Sequence, residues 1–227
     1  MAAGYALHVG LDGYDADAIG LPSTPPATGA VNAVTAMSAI TSGRGFREVV
    51  RLTDSHATRA RVFHEFDRLA GHLNPGDLFV FSLAGHAQPY TRGGRTLRQE
   101  FLLYDYAWRD DEIVDRLASI VSTARVLVVL ESCFADALIA PKALDRMVDA
   151  DILAFAACND SHRAAAATGG KGLPPFTEAL CKSVGLASDY SDLIDRIKAQ
   201  ELVPEPLMNR NLLKPASRFP EQVPFSI

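Results

Sequence analysis

The run Leu78–Ala84 (LFVFSLA) is apolar except for Ser82, and Arg125–Leu130 (RVLVVL) has no polar residue after its first. A strand with one wet face alternates apolar and polar side chains. Runs that do not alternate must be covered on both faces, which points to a mostly parallel sheet sandwiched between helices. Tyr5–Leu11 (YALHVGL), Glu48–Leu52 (EVVRL) and Ile152–Ala157 (ILAFAA) supply further strands, and Phe101–Tyr104 is strand-like. Helical patterns fall between them. One runs from Gly29 to about Ser42 and is stopped by Gly43 and Gly45. A second, capped by Ser55 or Thr58, repeats Val62, Phe66, Leu69 and Leu73 and ends at Asn74-Pro75-Gly76. Asp110 to Ile120, Phe176 to Val184 and Asp189 to Gln200 continue the series. Alternating units of this kind predict an α/β fold with one open sheet and helices on both faces. No linker, repeat or low-complexity segment divides the chain, so residues 1–227 are expected to form one domain.

Three segments read as loops: Asp12–Thr28, the small-residue stretch His162–Pro175, and Gln88–Gln99. The last carries Arg92, Arg95, Arg98 and the pair Gly93-Gly94, and is expected to be solvated, flexible and readily cut. Basic residues number 22 against 27 acidic ones, a net charge of −5, which lacks the broad positive surface that nucleic-acid binders need. The first 20 residues contain Asp12, Asp15 and Asp17, and no apolar run approaches the roughly 18 residues a bilayer span requires, so neither an export signal nor a membrane partner is expected. Cys133, Cys158 and Cys181 have spacings that fit neither a disulfide framework nor paired zinc knuckles, as in a protein of the reducing cytoplasm.

In open α/β sheets, functional groups collect beyond the carboxyl ends of the strands. His86 follows the strand Leu78–Ala84, and Cys133 follows the strand Arg125–Leu130 after Glu131-Ser132. A thiol nucleophile needs an imidazole as neighbour in space, and adjacent strand ends supply one. Taken singly, a cysteine beside a buried strand is a small hydrophobe and a lone histidine is structural or solvated; the pairing favours catalysis. The 47 residues separating the two are close to the roughly 50 found between the caspase histidine and cysteine, although the QACRG-type signature is absent. His8, His56, His64, His72 and His162 show no ligand spacing and are read as structural or surface residues, like Cys158 and Cys181.

Over almost its whole length the sequence resembles the caspase-like cysteine peptidases, especially the metacaspase-like and bacterial members. The resemblance is carried by Val9-Gly10-Leu11-Asp12, Ala84-Gly85-His86-Ala87, Asp110-Asp111-Glu112-Ile113 and Glu131-Ser132-Cys133-Phe134-Ala135-Asp136. The later Ala156-Ala157-Cys158, Phe176-Thr177-Glu178-Ala179-Leu180 and Gln222-Val223-Pro224 follow in the same order. It implies that Cys133 attacks a peptide carbonyl, that His86 protonates the leaving amine, and that the backbone N–H groups of Ala87 and Cys133 hold the oxyanion. It implies that Glu131 lies in the pocket for a basic residue before the cut bond, with Ala84 in place of the family's serine and Ala33 in place of its aspartate; bidentate pairing with the carboxylate puts Arg ahead of Lys, and the alternative is an uncharged side chain favoured by the less polar pocket those alanines leave. Glu131 is otherwise an ordinary strand-end carboxylate. Asp110 and Asp111 resemble the acidic pair that binds calcium in some metacaspases; the competing reading places them in the first turn of a helix, where carboxylates are favoured. No other cofactor or metal is expected. The resemblance further implies a protein or peptide substrate, control by an activating or sensor protein, and a role in prokaryotic defence or cell death. Two other functions fit the same residues: a catalytically weak or inactive homologue acting as a protein-binding module, and a small-molecule acyl hydrolase using the same dyad.

Overall fold

The computed structural model describes residues 2–21, 26–92, 95–120, 123–133, 135, 150–158, 172–210, 212–215 and 217–227. Up to residue 85 the chain follows a β/α order, with two helices between the first two strands. β1 (Gly4–Gly10) is followed by a short α1 (Ala16–Ile19), α2 (Ala30–Gly43), β2 (Glu48–Thr53), α3 (Arg59–Ala70) and β3 (Leu78–Gly85). Three strands then follow in succession, β4 (Ala87–Arg92), β5 (Arg95–Leu103) and β6 (Tyr106–Arg109). The α/β pattern resumes with α4 (Asp110–Ala118), β7 (Arg125–Ser132), β8 (Asp151–Ala156), α5 (Pro175–Ser183), α6 (Tyr190–Lys198) and β9 (Leu207–Asn209).

The main sheet has the order β2-β1-β3-β7-β8-β9, parallel throughout except for β9. Its four central strands are buried on both sides, and the pleat divides their side chains between two cores. Leu7, Phe79, Phe81, Val126 and Val128 face Val62, Phe66 and Leu69 of α3 and Ile113 and Leu117 of α4. Ala6, Val80, Leu127, Leu153 and Phe155 face Met37 of α2, Phe176 and Leu180 of α5, and Leu193 and Ile197 of α6. The expected α/β fold with helices on both faces is therefore the observed one. Gly10 lets α2 settle on the end of β1, since a Cβ there would lie 2.5 Å from both the Ala30 carbonyl oxygen and Val34 Cγ2.

One expectation is overturned. The arginine-rich stretch Gln88–Gln99 is not a loop: β4 and β5 pair antiparallel from Ala87↔Phe101 to Arg92↔Arg95, with a register shift between Tyr90 and Thr91. Charged side chains do not prevent main-chain pairing when the far end of the hairpin is anchored, as it is here by the buried Phe101, Leu102, Leu103 and Trp108. Gly93-Gly94 is the two-residue signal of a hairpin turn; those two residues lie outside the described ones, as do 162–171 of the other expected loop. Of the two alternative caps for α3, Thr58 is the one used, its hydroxyl accepting the Arg61 N–H.

His8 is structural, in the middle of β1 and fully buried. Its ring nitrogens lie 2.8 Å from Ser82 Oγ and 3.0 Å from Thr41 Oγ1. Thr41 Oγ1 also donates to the Met37 carbonyl, so it accepts from Nε2–H, and Ser82 donates to Nδ1. This arrangement suits only the neutral ring, and burial, with a smaller contribution from Arg51, lowers the pKa from 6.5 to about 3. The unfolded chain then binds a proton that the folded one refuses, so stability is lost as pH falls from about 6.5 toward 3. By pH 5 the loss is about 2 kcal/mol, or roughly 4–8 °C in Tm for a chain of this size. A His8→Gln variant, which keeps a donor and an acceptor but cannot titrate, is expected to flatten the Tm profile by that amount between pH 7 and 5, as read by thermal melts.

Candidate active site

β3 and β7 are hydrogen-bonded neighbours, and their register runs from Leu78↔Arg125 to Gly85↔Ser132. The next residue on each strand is His86 and Cys133. Neighbouring parallel strands stand about 4.8 Å apart, so this register brings residues 86 and 133 out next to each other at the carboxyl edge of the sheet. Both line one cleft, whose walls come from Pro26–Thr28 after β1, Ala30 of α2, Gly85, Glu131, Ser132 and Pro174. Cys133 is partly exposed there. Cys158 is different: it is fully buried at the end of β8, and its thiol donates to the Ser132 carbonyl at 3.3 Å. Burial also raises the pKa of the Cys181 thiol, which sits on α5 outside the cleft.

The main chain around His86 is held from two directions. Leu102 N–H of β5 donates to the His86 carbonyl at 2.9 Å. The His86 N–H does not return the bond to β5; it donates to Tyr14 Oη at 2.8 Å. Because antiparallel pairs alternate between bonded and non-bonded, the Ala87↔Phe101 pair that follows is a non-bonded one, and the Ala87 N–H points away from β5. β4, β5 and β6 form a separate three-stranded antiparallel sheet in that order, and among the described residues β4 is its edge strand.

Glu131 is the last acid before the cysteine, and the structure gives it two neighbourhoods. It lines the cleft, yet it is buried, and its Oε2 accepts both the N–H and the Oγ1–H of Thr177, at 2.6 and 2.7 Å. Thr177 lies in the first turn of α5, whose N-cap position is Pro174 and has no capping side chain. Glu131 therefore caps that helix from the sheet. Across β3 it pairs with Ala84, which packs with Ala30 and Ala33 in a small apolar cluster. With no cation among these partners, burial outweighs the Thr177 bonds and pushes the carboxyl up to about 7. Asp12 repeats the device at the end of β1: its Oδ1 accepts the Ala30 N–H at 2.7 Å at the start of α2, and burial raises its pKa.

Asp110 and Asp111 open α4 and do not line the cleft. Asp110 accepts the N–H groups of Gln99 and Asp111, and Asp111 accepts the Glu112 N–H and faces Arg109 Nε at 3.3 Å. Calcium takes six to eight oxygens, and among the described residues no three acidic, histidine or cysteine side chains are grouped to hold a metal ion. Both carboxylates serve the first turn of their helix. Among the described residues, no helix is long and apolar enough to cross a membrane.

Two residues of the site are not singled out by the sequence: Tyr14 lies in the expected loop Asp12–Thr28, and Thr177 belongs to the motif Phe176–Leu180 without a role; both act through contacts more than 40 residues away in sequence. Phe134 and Asp136 of the cysteine element lie outside the described residues.

The geometry agrees with comparisons to known proteins. The fold is similar to a crystal structure of a protein from Geobacter sulfurreducens, with a TM-score of 0.83 and 23% identity over 99% of each chain. It is also similar to caspase-1 from Spodoptera frugiperda, with a TM-score of 0.66 and 13% identity over 92% of this chain and 86% of that one. No curated protein matches the sequence. The family model described as the caspase domain matches residues 3–205. The chain thus belongs to the caspase domain family, whose members are cysteine peptidases.

Proposed function

We propose that this protein is a cysteine endopeptidase in which Cys133 is the nucleophile and His86 its acid–base partner. The observation that carries this reading is the β3/β7 register, which brings both residues out of adjacent strands into one cleft. The thiol proton passes to the imidazole, and the thiolate attacks the peptide carbonyl. As the C–N bond breaks, His86 gives its proton to the leaving amine. Water then cleaves the thioester, with His86 accepting its proton, and the thiol is restored. The Ala87 and Cys133 N–H groups take the role of oxyanion donors, a role open to Ala87 because its N–H is not spent on pairing with β5. The three cysteines, none of them in a disulfide, are in keeping with a reducing, cytoplasmic setting. Activation by a separate sensor protein in prokaryotic defence rests on the family resemblance.

Cys133→Ala is expected to abolish hydrolysis of a fluorogenic peptide or protein substrate with Tm nearly unchanged, and His86→Ala to lose on the order of 10² to 10⁴ in kcat. Hydrolysis persisting in purified Cys133→Ala would reject the nucleophile. An inert wild type whose Cys133 no peptidyl electrophile labels would leave the non-catalytic binding reading.

We assign the residue before the cut bond to Arg, then Lys, on the strength of Glu131 lining the cleft. A guanidinium would give that buried carboxylate the cation it lacks, bidentately where lysine offers a point charge. Since kcat/KM follows the ionisation of the free enzyme, preference for Arg over its neutral isostere citrulline is expected to climb through pH 7. In Glu131→Gln it is expected to be small and flat. The same substitution has a stability signature of fixed sign. A carboxyl whose folded pKa stands above its unfolded 4.5 contributes stability below pH 4.5 that is lost as pH rises through about 7. Glu131→Gln, which can still accept from Thr177, is expected to gain Tm relative to wild type between pH 5 and 8.

A further inference from the structure

Gly85 ends β3 with φ +148°, a conformation that side-chain-bearing residues rarely adopt, and a Cβ there would meet Tyr14 Oη at 2.8 Å and the Leu11 carbonyl oxygen at 3.3 Å. The missing side chain is the space the phenol hydroxyl uses. Oη has a single proton, and its two bonds assign it: Tyr14 donates to the Leu11 carbonyl at 3.1 Å and accepts the His86 N–H at 2.8 Å. The phenol ring also packs against the imidazole, centroids 5.7 Å apart and planes 35° from parallel. Tyr14 is thus bound to the backbone and the ring of the same histidine.

Its own position is fixed at both ends. Leu11 N–H donates to the Ala84 carbonyl at 3.1 Å, extending the β1/β3 pairing, and Asp15 N–H donates to the Tyr104 carbonyl at 2.8 Å. Burial keeps the phenol far from ionising, so the hydroxyl keeps its donor and acceptor roles at any working pH. The histidine it holds needs such a tether. His86 sits between the end of β3 and the start of β4, and its N–H is not bonded to β5, so Tyr14 supplies the bond that strand pairing leaves out.

We propose that Tyr14 is a positioning residue for the dyad, its hydroxyl holding the His86 backbone so that the imidazole stays in line with Cys133. This rests on the reading of His86 and Cys133 as the catalytic pair. Imidazole misplacement by about 1 Å can cost on the order of 10² in rate, and the loss falls on the proton-transfer steps and not on peptide binding.

The test compares wild type, Tyr14→Phe and Asp15→Ala. Tyr14→Phe removes one oxygen and keeps the ring. Asp15→Ala loosens the same segment by removing the side-chain cap that accepts the Ala18 N–H, and leaves the hydroxyl in place. Two readouts are taken: kcat and KM on a fluorogenic peptide, and the pH dependence of Cys133 alkylation by iodoacetamide, mapped by mass spectrometry. Tyr14→Phe is expected to lose about 10- to 100-fold in kcat with KM within about twofold, and to shift the alkylation midpoint toward that of an unpaired thiol. Asp15→Ala is expected to match wild type in both. The proposal is overturned by a Tyr14→Phe protein with wild-type kcat and alkylation profile, by an equal loss in Asp15→Ala, or by a Tyr14→Phe chain that no longer melts cooperatively. The alkylation arm needs no peptide hydrolysis. A wild type without peptidase activity would therefore count against the function, while a midpoint shift in Tyr14→Phe would still support the tether.

Discussion

The pairing of β3 with β7 is the constraint on which the rest depends. Both strands are apolar and covered on both faces, so neither can slip by one residue without moving every side chain to the wrong core. That packing is a stability requirement, and it also fixes the register at Gly85↔Ser132. The placement of His86 beside Cys133 thus follows from hydrophobic packing many residues below the cleft.

At the carboxyl edge, two helix starts are satisfied in the same unusual way. Neither Gly29 before α2 nor Pro174 before α5 caps its helix with a side chain. Asp12 at the end of β1 and Glu131 at the end of β7 supply the acceptors from the sheet. The positive end of a helix dipole favours such carboxylates, yet burial without a cation raises the pKa of both. Of the two, Glu131 ties its helix to the sheet while also lining the cleft.

The hairpin β4/β5 and the tether of Tyr14 occupy the other side. β5 holds the His86 carbonyl and Tyr14 holds its N–H, so the peptide flanking the imidazole is bonded on both sides by different elements. Gly85 permits the close approach of the phenol. This region is where the chain departs from strict α/β alternation, and the departure supplies the histidine with its surroundings.

Much of the fold was legible in the sequence, because unbroken apolar runs such as LFVFSLA and RVLVVL admit few folds, and in such folds functional groups collect beyond the strand ends. That rule picks out His86 and Cys133 as candidates, and local chemistry narrows the cap of α3 to Ser55 or Thr58. The hairpin was misread because arginines look like solvent exposure, whereas main-chain pairing ignores side-chain charge and the anchoring residues, Phe101 and Trp108, lie outside the segment. Tyr14, the Glu131–Thr177 bond and the Ala30, Ala33 and Ala84 cluster were decided only by tertiary structure. Periodicity and capping report contacts within a few residues; a hydroxyl that bonds a backbone N–H 72 positions away leaves no local pattern, and only the packed sheet brings the two together.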